Sequence, residues 1–268
     1  MMDTTLPTTM LSTAQEAAKK AGEIILKYFG GDVSFALKAD KTVVSIADKE
    51  AEQAIKELVM KRFPSHVFVG EETGTTGIGK IRWHVDPLDG TTNFKNKIPI
   101  CGISIGVEMG GEAVLGVIYN PFTNQLFWAE KGNGAFCNGT KIKVNSLSLA
   151  KGIVVLDGSF RDDRALRKIK TQEELLSCGA TIRAIGSNVL QLSGVASGQF
   201  VCSISDAVHS YDFMAGAVLV KEAGGVVTDY LGNAVTSDSV VVIASNNQEN
   251  HRQLLELTKK YYLGYQGM

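Results

Sequence analysis

Apolar residues recur along this chain at two different periods, and the switch between them limits the fold more than any other feature. From about Leu11 to Phe29, the residues Ala14, Ala17, Ala18, Ala21, Ile24, Ile25 and Tyr28 fall at i, i+3, i+4 and i+7, the stripe of an amphipathic helix. Ser12 is placed to cap its start and Gly30-Gly31 to end it. The stretch from Gly31 to Thr42 has no clean period and reads as a loop. A second helix is expected over Ile46 to Arg62, with Ala47, Ala51, Ala54, Ile55 and Leu58 on one face and Pro64 as its stop. Beyond it the period drops to that of strands. Val67 to Val69 and Ile81 to Val85 are short strands, and Cys101 to Met109 with Glu112 to Tyr119 forms a hairpin turned by Gly110-Gly111. Gln125 to Glu130 adds a strand, and Gly132, Gly134 and Gly139 mark turns.

The second half alternates. Strands are expected at Ile153 to Leu156, Thr181 to Ile185, Phe200 to Ile204, Val226 to Asp229 and Val240 to Ala244. Between them lie short helices at Asp162 to Ile169 and Glu173 to Ser177, a helix from Asn188 to Ala196, and a long apolar helix from Asp212 to Ala223 closed by Gly224-Gly225. A last helix covers Gln248 to Tyr262. This rhythm implies a more parallel or mixed sheet with helices on its faces. The class is therefore α+β, with two subdomains, 1–147 and 148–268, packed as one unit without a flexible linker.

Composition removes several functions. Lys plus Arg number 27 and Asp plus Glu 28, for a net charge of -1. No broad cationic field exists to hold nucleic acid or an anionic membrane, so an anionic ligand must be met by a local device such as a metal or a helix N-terminus. No apolar run approaches the ~18 residues of a membrane span, and the first residues lack the basic start and apolar stretch of a secretory signal. Cys101, Cys137, Cys178 and Cys202 form no CxxC pair and read as buried reduced thiols, which makes a reducing cytoplasm the expected compartment.

Acidic residues gather where strands stop and helices start. In Trp83-His84-Val85-Asp86-Pro87-Leu88-Asp89-Gly90-Thr91-Thr92-Asn93-Phe94, a buried strand runs into Asp86, and Pro87 opposes continued ladder pairing. Two carboxylates three residues apart around a turn suit a hard cation. Gly90 and Thr91 can begin a helical turn whose free N–H groups face an anion. A plain capped turn fits the same spacing. An EF-hand does not fit, since its third position needs an oxygen side chain and Leu88 stands there. Gly70-Glu71-Glu72-Thr73-Gly74 again puts acids where a strand stops, as would a solvated loop. Asp212 stands at the front of an apolar helix, where a dipole partner or a ligand are equal readings. Ser45-x-x-Asp48 has the form of a capping box. His66, His84, His209 and His251 show no metal-ligand spacing and read as surface or satisfied core histidines. No dinucleotide fingerprint, P-loop or nucleophile elbow is present.

Together these motifs resemble the inositol monophosphatase family. Asp86-Pro-Leu-Asp-Gly-Thr-Thr-Asn-Phe94 is similar to its first signature, and Tyr211-Asp-Phe-Met-Ala-Gly216 with Glu222-Ala-Gly-Gly225 to its second. Gly70-Glu-Glu72 and Ser45-Ile-Ala-Asp48 precede them in the expected order, and the resemblance runs from the first helix to the last strand. It implies an α/β/α/β/α layered sandwich, usually a homodimer, and inhibition by lithium. It also implies two or three Mg²⁺ ions held by Glu71, Asp86, the Leu88 carbonyl, Asp89 and Asp212. Catalysis would fall to Asp48, Glu71 and Thr91, with Thr91 and Asp48 orienting and deprotonating the attacking water, and phosphate binding to Gly90 and Thr91. Arg183, Gly186, Ser187, Asn188 and Ser205 are placed near the leaving group. In a covering loop, Lys38, Asp40 and Lys41 are the polar candidates to assist a further metal. Two positions depart from the family pattern. Tyr211 replaces a usual Trp, and Ser205 stands where inositol-specific members commonly carry Glu.

The expected activity is Mg²⁺-dependent hydrolysis of a small phosphomonoester, inositol monophosphate first. Fructose 1,6-bisphosphate, histidinol phosphate and a 3'-phosphoadenosine nucleotide are rival substrates. A regulatory binding protein that keeps the fold is the alternative outside enzymes.

Overall fold

Two alanine-rich stripes build the first layer. The computed structural model describes residues 5–31, 33–37, 43–156 and 164–262. Helix α1 spans Thr5–Tyr28, and its Ala14, Ala17, Ala18 and Ala21 share one core cluster with Ala47, Ala51 and Ile55 of helix α2 (Ile46–Arg62). Small side chains on both faces let the two helices approach closely. Between them, β1 (Phe35–Leu37) pairs antiparallel with β2 (Val43–Ser45), so part of the expected loop is a two-stranded ribbon. Lys38, Asp40 and Lys41 lie outside the described residues. Helix α2 covers Ile46–Arg62, as its period predicts. Helix α1 starts earlier than expected. Ser12 is inside it, its hydroxyl donating to the Thr9 carbonyl at 3.1 Å rather than capping the start.

A sheet follows, made of β3 (Val67–Gly70), β4 (Gly74–Thr76) and β5 (Ile81–Asp89), then a short helix α3 (Thr91–Lys95), then β6 (Gly102–Met109), β7 (Glu112–Asn120), β8 (Gln125–Glu130), β9 (Gly134–Cys137) and β10 (Thr140–Ile142). Its order is β10-β9-β8-β7-β6-β5-β3-β4, antiparallel except where β3 runs beside β5. Gly110 and Gly111, both at positive φ, turn the β6–β7 hairpin. Strands β4, β9 and β10 were not foreseen, being three or four residues long with no room for a period to show.

The second half adds β11 (Ile153–Leu156), α4 (Arg164–Ser177), β12 (Thr181–Arg183), α5 (Asn188–Ala196), β13 (Cys202–Asp206), α6 (Ser210–Glu222), β14 (Val226–Asp229), β15 (Val241–Ser245) and α7 (Gln248–Tyr262). The two short helices expected around Thr171 are one over Arg164–Ser177, and the expected start at Asp162 lies outside the described residues. Thr171 lies inside that helix, its hydroxyl donating back to the Arg167 carbonyl at 2.9 Å, a bond that spares the hydroxyl burial without a partner. The second sheet has order β12-β11-β13-β15-β14 and mixes parallel and antiparallel pairs. Helices α1 and α2 cover one face of the first sheet. Helices α5 and α6 lie between the sheets, and α4 and α7 cover the far face of the second. The result is the α/β/α/β/α sandwich of an α+β chain.

One row of residues decides how α6 sits. His84, Gly106, Gly116, Ala129 and Ala135 are successive cross-strand partners from β5 to β9. A Cβ at Gly106 would fall 2.8 Å from the Ala215 nitrogen, and one at Gly116 only 2.2 Å from the Ala215 carbonyl oxygen. The helix backbone therefore rests directly on the sheet. Its far end is held by Glu222, whose two carboxylate oxygens accept the Gly132 and Gly134 N–H groups, each at 2.8 Å.

All four cysteines are free. Cys101 and Cys202 are buried as expected, but Cys137 is half-buried and Cys178, just past α4, is exposed.

Candidate active site

Strand β5 does not stop at Pro87. It continues to Asp89, with a register shift against β6 between Asp86 and Asp89. The bulge places Pro87 where no ladder N–H is required, which is how a proline is tolerated within a strand. It also brings both acids to the same end of the sheet. Asp86 accepts the Leu88 N–H at 2.9 Å. Asp89 accepts the Val189 N–H at 3.0 Å and the Ser187 hydroxyl, both from the start of α5. Gly90 then turns the chain into α3 with φ +96°, and a Cβ there would meet the Ile100 carbonyl oxygen at 2.8 Å. Only glycine satisfies both the angle and the space.

Asp212 comes from the other half of the chain. It is the third residue of α6, and its carboxylate accepts the His209 N–H at 2.7 Å. The first turn of α6 is fastened to the first sheet by two bonds. The Ser104 hydroxyl donates to the Tyr211 carbonyl at 2.9 Å, and Ser210 Oγ lies 2.8 Å from His84 Nδ1. The other nitrogen of His84 is 2.8 Å from Glu108 Oε2. Burial holds the imidazole below its usual pKa, only partly offset by Glu108.

Glu71 follows the end of β3, and its N–H donates to the Val85 carbonyl at 3.1 Å. Its loop is shaped from below by Glu52 of α2, a buried carboxylate that accepts the N–H groups of Glu72 at 2.8 Å and Thr73 at 2.7 Å. Asp48, one turn earlier on α2, forms the capping box with Ser45, accepting its N–H at 2.8 Å and its hydroxyl at 2.6 Å. Its second oxygen reaches Thr91 Oγ1 at 3.3 Å. Thr91 Oγ1 also lies 3.1 Å from the Leu88 carbonyl oxygen. The cap and the site contact are thus two uses of one carboxylate.

Ligand oxygens of Asp86, Asp89 and Asp212 all lie within 4.8 Å of one another. Burial pushes Asp86 well above the usual carboxylate range, and the charges of Glu71, Asp89 and Asp212 push it further. Burial raises Asp89 to about 7 against the lowering effect of Ser187 and two backbone N–H groups. Burial and then the Asp89 charge raise Asp212. Asp48 is also raised, by burial and by Glu71, though its bonds to Ser45 oppose the shift. Buried acids that repel one another are costly unless a cation offsets them. The donors are all oxygen, which fits a hard divalent ion. Glu71 acts electrostatically on all four aspartates, and the Leu88 carbonyl accepts the Thr91 hydroxyl on one of its two lone pairs.

The residues expected near the leaving group divide. Gly186, Ser187 and Asn188 lead into α5 beside Asp89. The Ser187 hydroxyl is committed to Asp89, and Asn188 adds a backbone N–H to the same carboxylate. Ser205 is buried on β13, with no hydrogen-bond partner for its hydroxyl. Arg183 is exposed at the end of β12, its guanidinium donating to the Ile182 carbonyl at 2.8 Å. Three residues of the site were not foreseen. Asn93 donates its amide to the Ile100 carbonyl at 2.9 Å and the Ile185 carbonyl at 2.8 Å, joining α3 to the segment before α5. Glu52 and His84 are the others. Asn93 lies within the first signature but was assigned no role there, and no local pattern marks Glu52 or His84, whose partners are distant in sequence.

Among the described residues, no helix is long and apolar enough to cross a membrane.

Comparison with known proteins agrees with this arrangement. A family model described as the inositol monophosphatase family matches residues 6–262. The Aquifex aeolicus protein named fructose-1,6-bisphosphatase/inositol-1-monophosphatase is 35% identical over 257 residues, 94% of this chain and 96% of its own. Inositol monophosphatase 1 of Homo sapiens is 32% identical over 241 residues, covering 86% of this chain and 87% of its own. The crystal structure of the extragenic suppressor protein suhB from Bartonella henselae has a TM-score of 0.88 and 33% identity, covering 94% of this chain and 99% of its own.

Proposed function

This chain belongs to the inositol monophosphatase family, whose members are phosphoric monoester hydrolases, and from that premise we propose that it hydrolyses a small phosphomonoester, inositol monophosphate first, with Mg²⁺. The observation that carries this reading is the convergence of Asp86, Asp89 and Asp212 from two halves of the chain onto one spot.

In this reading, Glu71, Asp86, the Leu88 carbonyl, Asp89 and Asp212 hold two or three Mg²⁺ ions. Bound there, such ions supply activation of a water and offset the charge of the phosphate and the departing alcohol. The protein's own part is proton handling and positioning. Thr91 Oγ1 takes a proton from the attacking water as its own proton moves to Asp48, whose raised pKa suits it to receive one. Glu71 orients the same water. The Gly90 and Thr91 N–H groups, at the front of α3, stabilise the phosphate oxygens. Residues Gly186 to Asn188 and Ser205 line the side where the alcohol leaves.

A second substrate reading has its own support. The Aquifex aeolicus relative carries fructose-1,6-bisphosphatase in its name, and exposed Arg183 suits a second phosphate. A regulatory role without turnover is disfavoured by a full set of converging acids, Asp48, Asp86 and Asp89 buried and Glu71 and Asp212 half-buried. A phosphate-release screen over a panel of phosphomonoesters with Mg²⁺ separates these readings, since an enzyme discriminates substrates by their kcat/KM ratios. Release from none of them would count against the enzyme reading.

A further inference from the structure

We propose that His84 is a positioning residue for the acid cluster. By holding Ser210 it sets where Asp212 stands relative to Asp86, and so how tightly the cluster binds a divalent cation. This rests on the metal-site reading of those aspartates.

His84 and Asp86 are two residues apart on β5, so their side chains leave the same face of the strand. Their partners in β6 are Gly106 and Ser104. Ser210 and Asp212 are two residues apart in the first turn of α6. The contact of 2.8 Å from His84 Nδ1 to Ser210 Oγ ties the two pairs together beside the Asp86–Asp212 hydrogen bond, while the Ser104 hydroxyl holds the Tyr211 carbonyl between Ser210 and Asp212. The ring is fully buried and is oriented from its other side by Glu108 Oε2. A carboxylate only accepts, so Nε2 carries the proton and Nδ1 accepts from the Ser210 hydroxyl. The direction of the whole chain of bonds is thereby fixed.

Packing alone does not call for this arrangement. The other members of the row under α6 are Gly106, Gly116, Ala129 and Ala135. An imidazole and a carboxylate buried at its end cost desolvation that an apolar side chain would not. The far end of α6 is held independently by Glu222. Loosening His84 should therefore shift the N-terminal turn without freeing the helix.

The test is calorimetric Mg²⁺ binding, with thermal melting in EDTA, on the full chain and on His84→Asn, His84→Gln, Ser210→Ala and the His84→Gln/Ser210→Ala double variant. Asn keeps an acceptor near the position of Nδ1, whereas Gln reaches only toward Glu108. His84→Asn should bind Mg²⁺ within about threefold of wild type, while His84→Gln and Ser210→Ala should bind about tenfold more weakly. The double variant should be no weaker than either single, because both remove one contact. Ser210→Ala loses a single hydroxyl and carries the test if a His84 variant does not fold. Equal losses in His84→Asn and His84→Gln, or unchanged affinity in Ser210→Ala, would overturn the proposal. Wild-type protein that binds no Mg²⁺ would instead overturn the metal-site reading beneath it, along with this inference.

Discussion

Asp48 and Thr91 are 43 residues apart in the chain and 3.3 Å apart at the site. The contact joins the capping box of α2 to the first residue of α3, so the helix start that looks purely structural also reaches the proposed site. Thr91→Ala should lower kcat by about 10²–10³-fold, within the range of a lost proton-transfer group. Mg²⁺ affinity by calorimetry should be unchanged, and Thr91→Ser should recover most of the rate. A parallel loss of Mg²⁺ binding would show that Thr91 serves the metal site instead.

Asp89→Asn should abolish turnover while stabilising the protein in EDTA at pH 8. The sign follows from burial. Asp89 has its pKa raised to about 7 in the fold. The stability linked to its protonated form is complete below about 3.8 and is lost as pH rises through about 7. Asp86 and Asp212 shift in the same direction. His251, held down to about 4 by burial, acts oppositely and loses stability as pH falls. Melting curves in EDTA should place Asp89→Asn above wild type at pH 8, with the gap narrower at pH 5 and closing only below about pH 3.8. Mg²⁺ should raise the wild-type melting temperature more at pH 8 than at pH 5. A mutant that melts below wild type at pH 8 contradicts the repulsion argument.

Glu222 and Asp212 sit at opposite ends of one helix and should separate cleanly. Glu222→Ala leaves the Gly132 and Gly134 N–H groups without their acceptor, a loss of about 1–3 kcal/mol in stability. Its kcat at saturating Mg²⁺ should stay near wild type. Denaturant unfolding beside steady-state kinetics would reveal the opposite pattern if Glu222 belonged to the site.

Gly116→Ala should be among the most damaging small changes outside the site. Its new Cβ would meet backbone rather than a movable side chain, 2.2 Å from the Ala215 carbonyl oxygen. A cost of about 3 kcal/mol or more is expected, at the upper end for overpacking. Urea unfolding within a few tenths of wild type would mean that α6 can lift off the sheet freely.

Lithium should inhibit more than sodium. A small monovalent cation shares the preference for carboxylate oxygen but carries half the charge, so it can hold the site without supporting turnover. Kinetics at varied substrate, with LiCl against NaCl at equal ionic strength, decides. Equal effects would reduce the inhibition to screening.

Much of this was legible in the sequence because the relevant signals are local. The bounds of α2, α5, β14 and α7 follow from period and punctuation, and the acids announce themselves at strand and helix ends. What was not legible depends on partners far along the chain. Pro87 ends a strand by local rules, yet a bulge lets β5 carry on to Asp89. Ser12 has the chemistry of a cap but lies inside a helix that began earlier. Glu52 looks like any charged residue of an amphipathic helix until β3 and its loop fold over it. His84 reads as a satisfied core histidine, which it is. Only the approach of α6 shows that what satisfies it is the turn bearing Asp212.

The central claim is that the buried acids are a cation site that drives phosphate release. The most direct measurement is phosphate release from inositol monophosphate and the wider phosphomonoester panel as Mg²⁺ is titrated into chelated protein, in wild type and Asp89→Asn. The account predicts no release in EDTA, a saturable rise with Mg²⁺ in wild type, and none in Asp89→Asn. Undiminished release in excess EDTA, or near-normal rates in Asp89→Asn at saturating Mg²⁺, would contradict it.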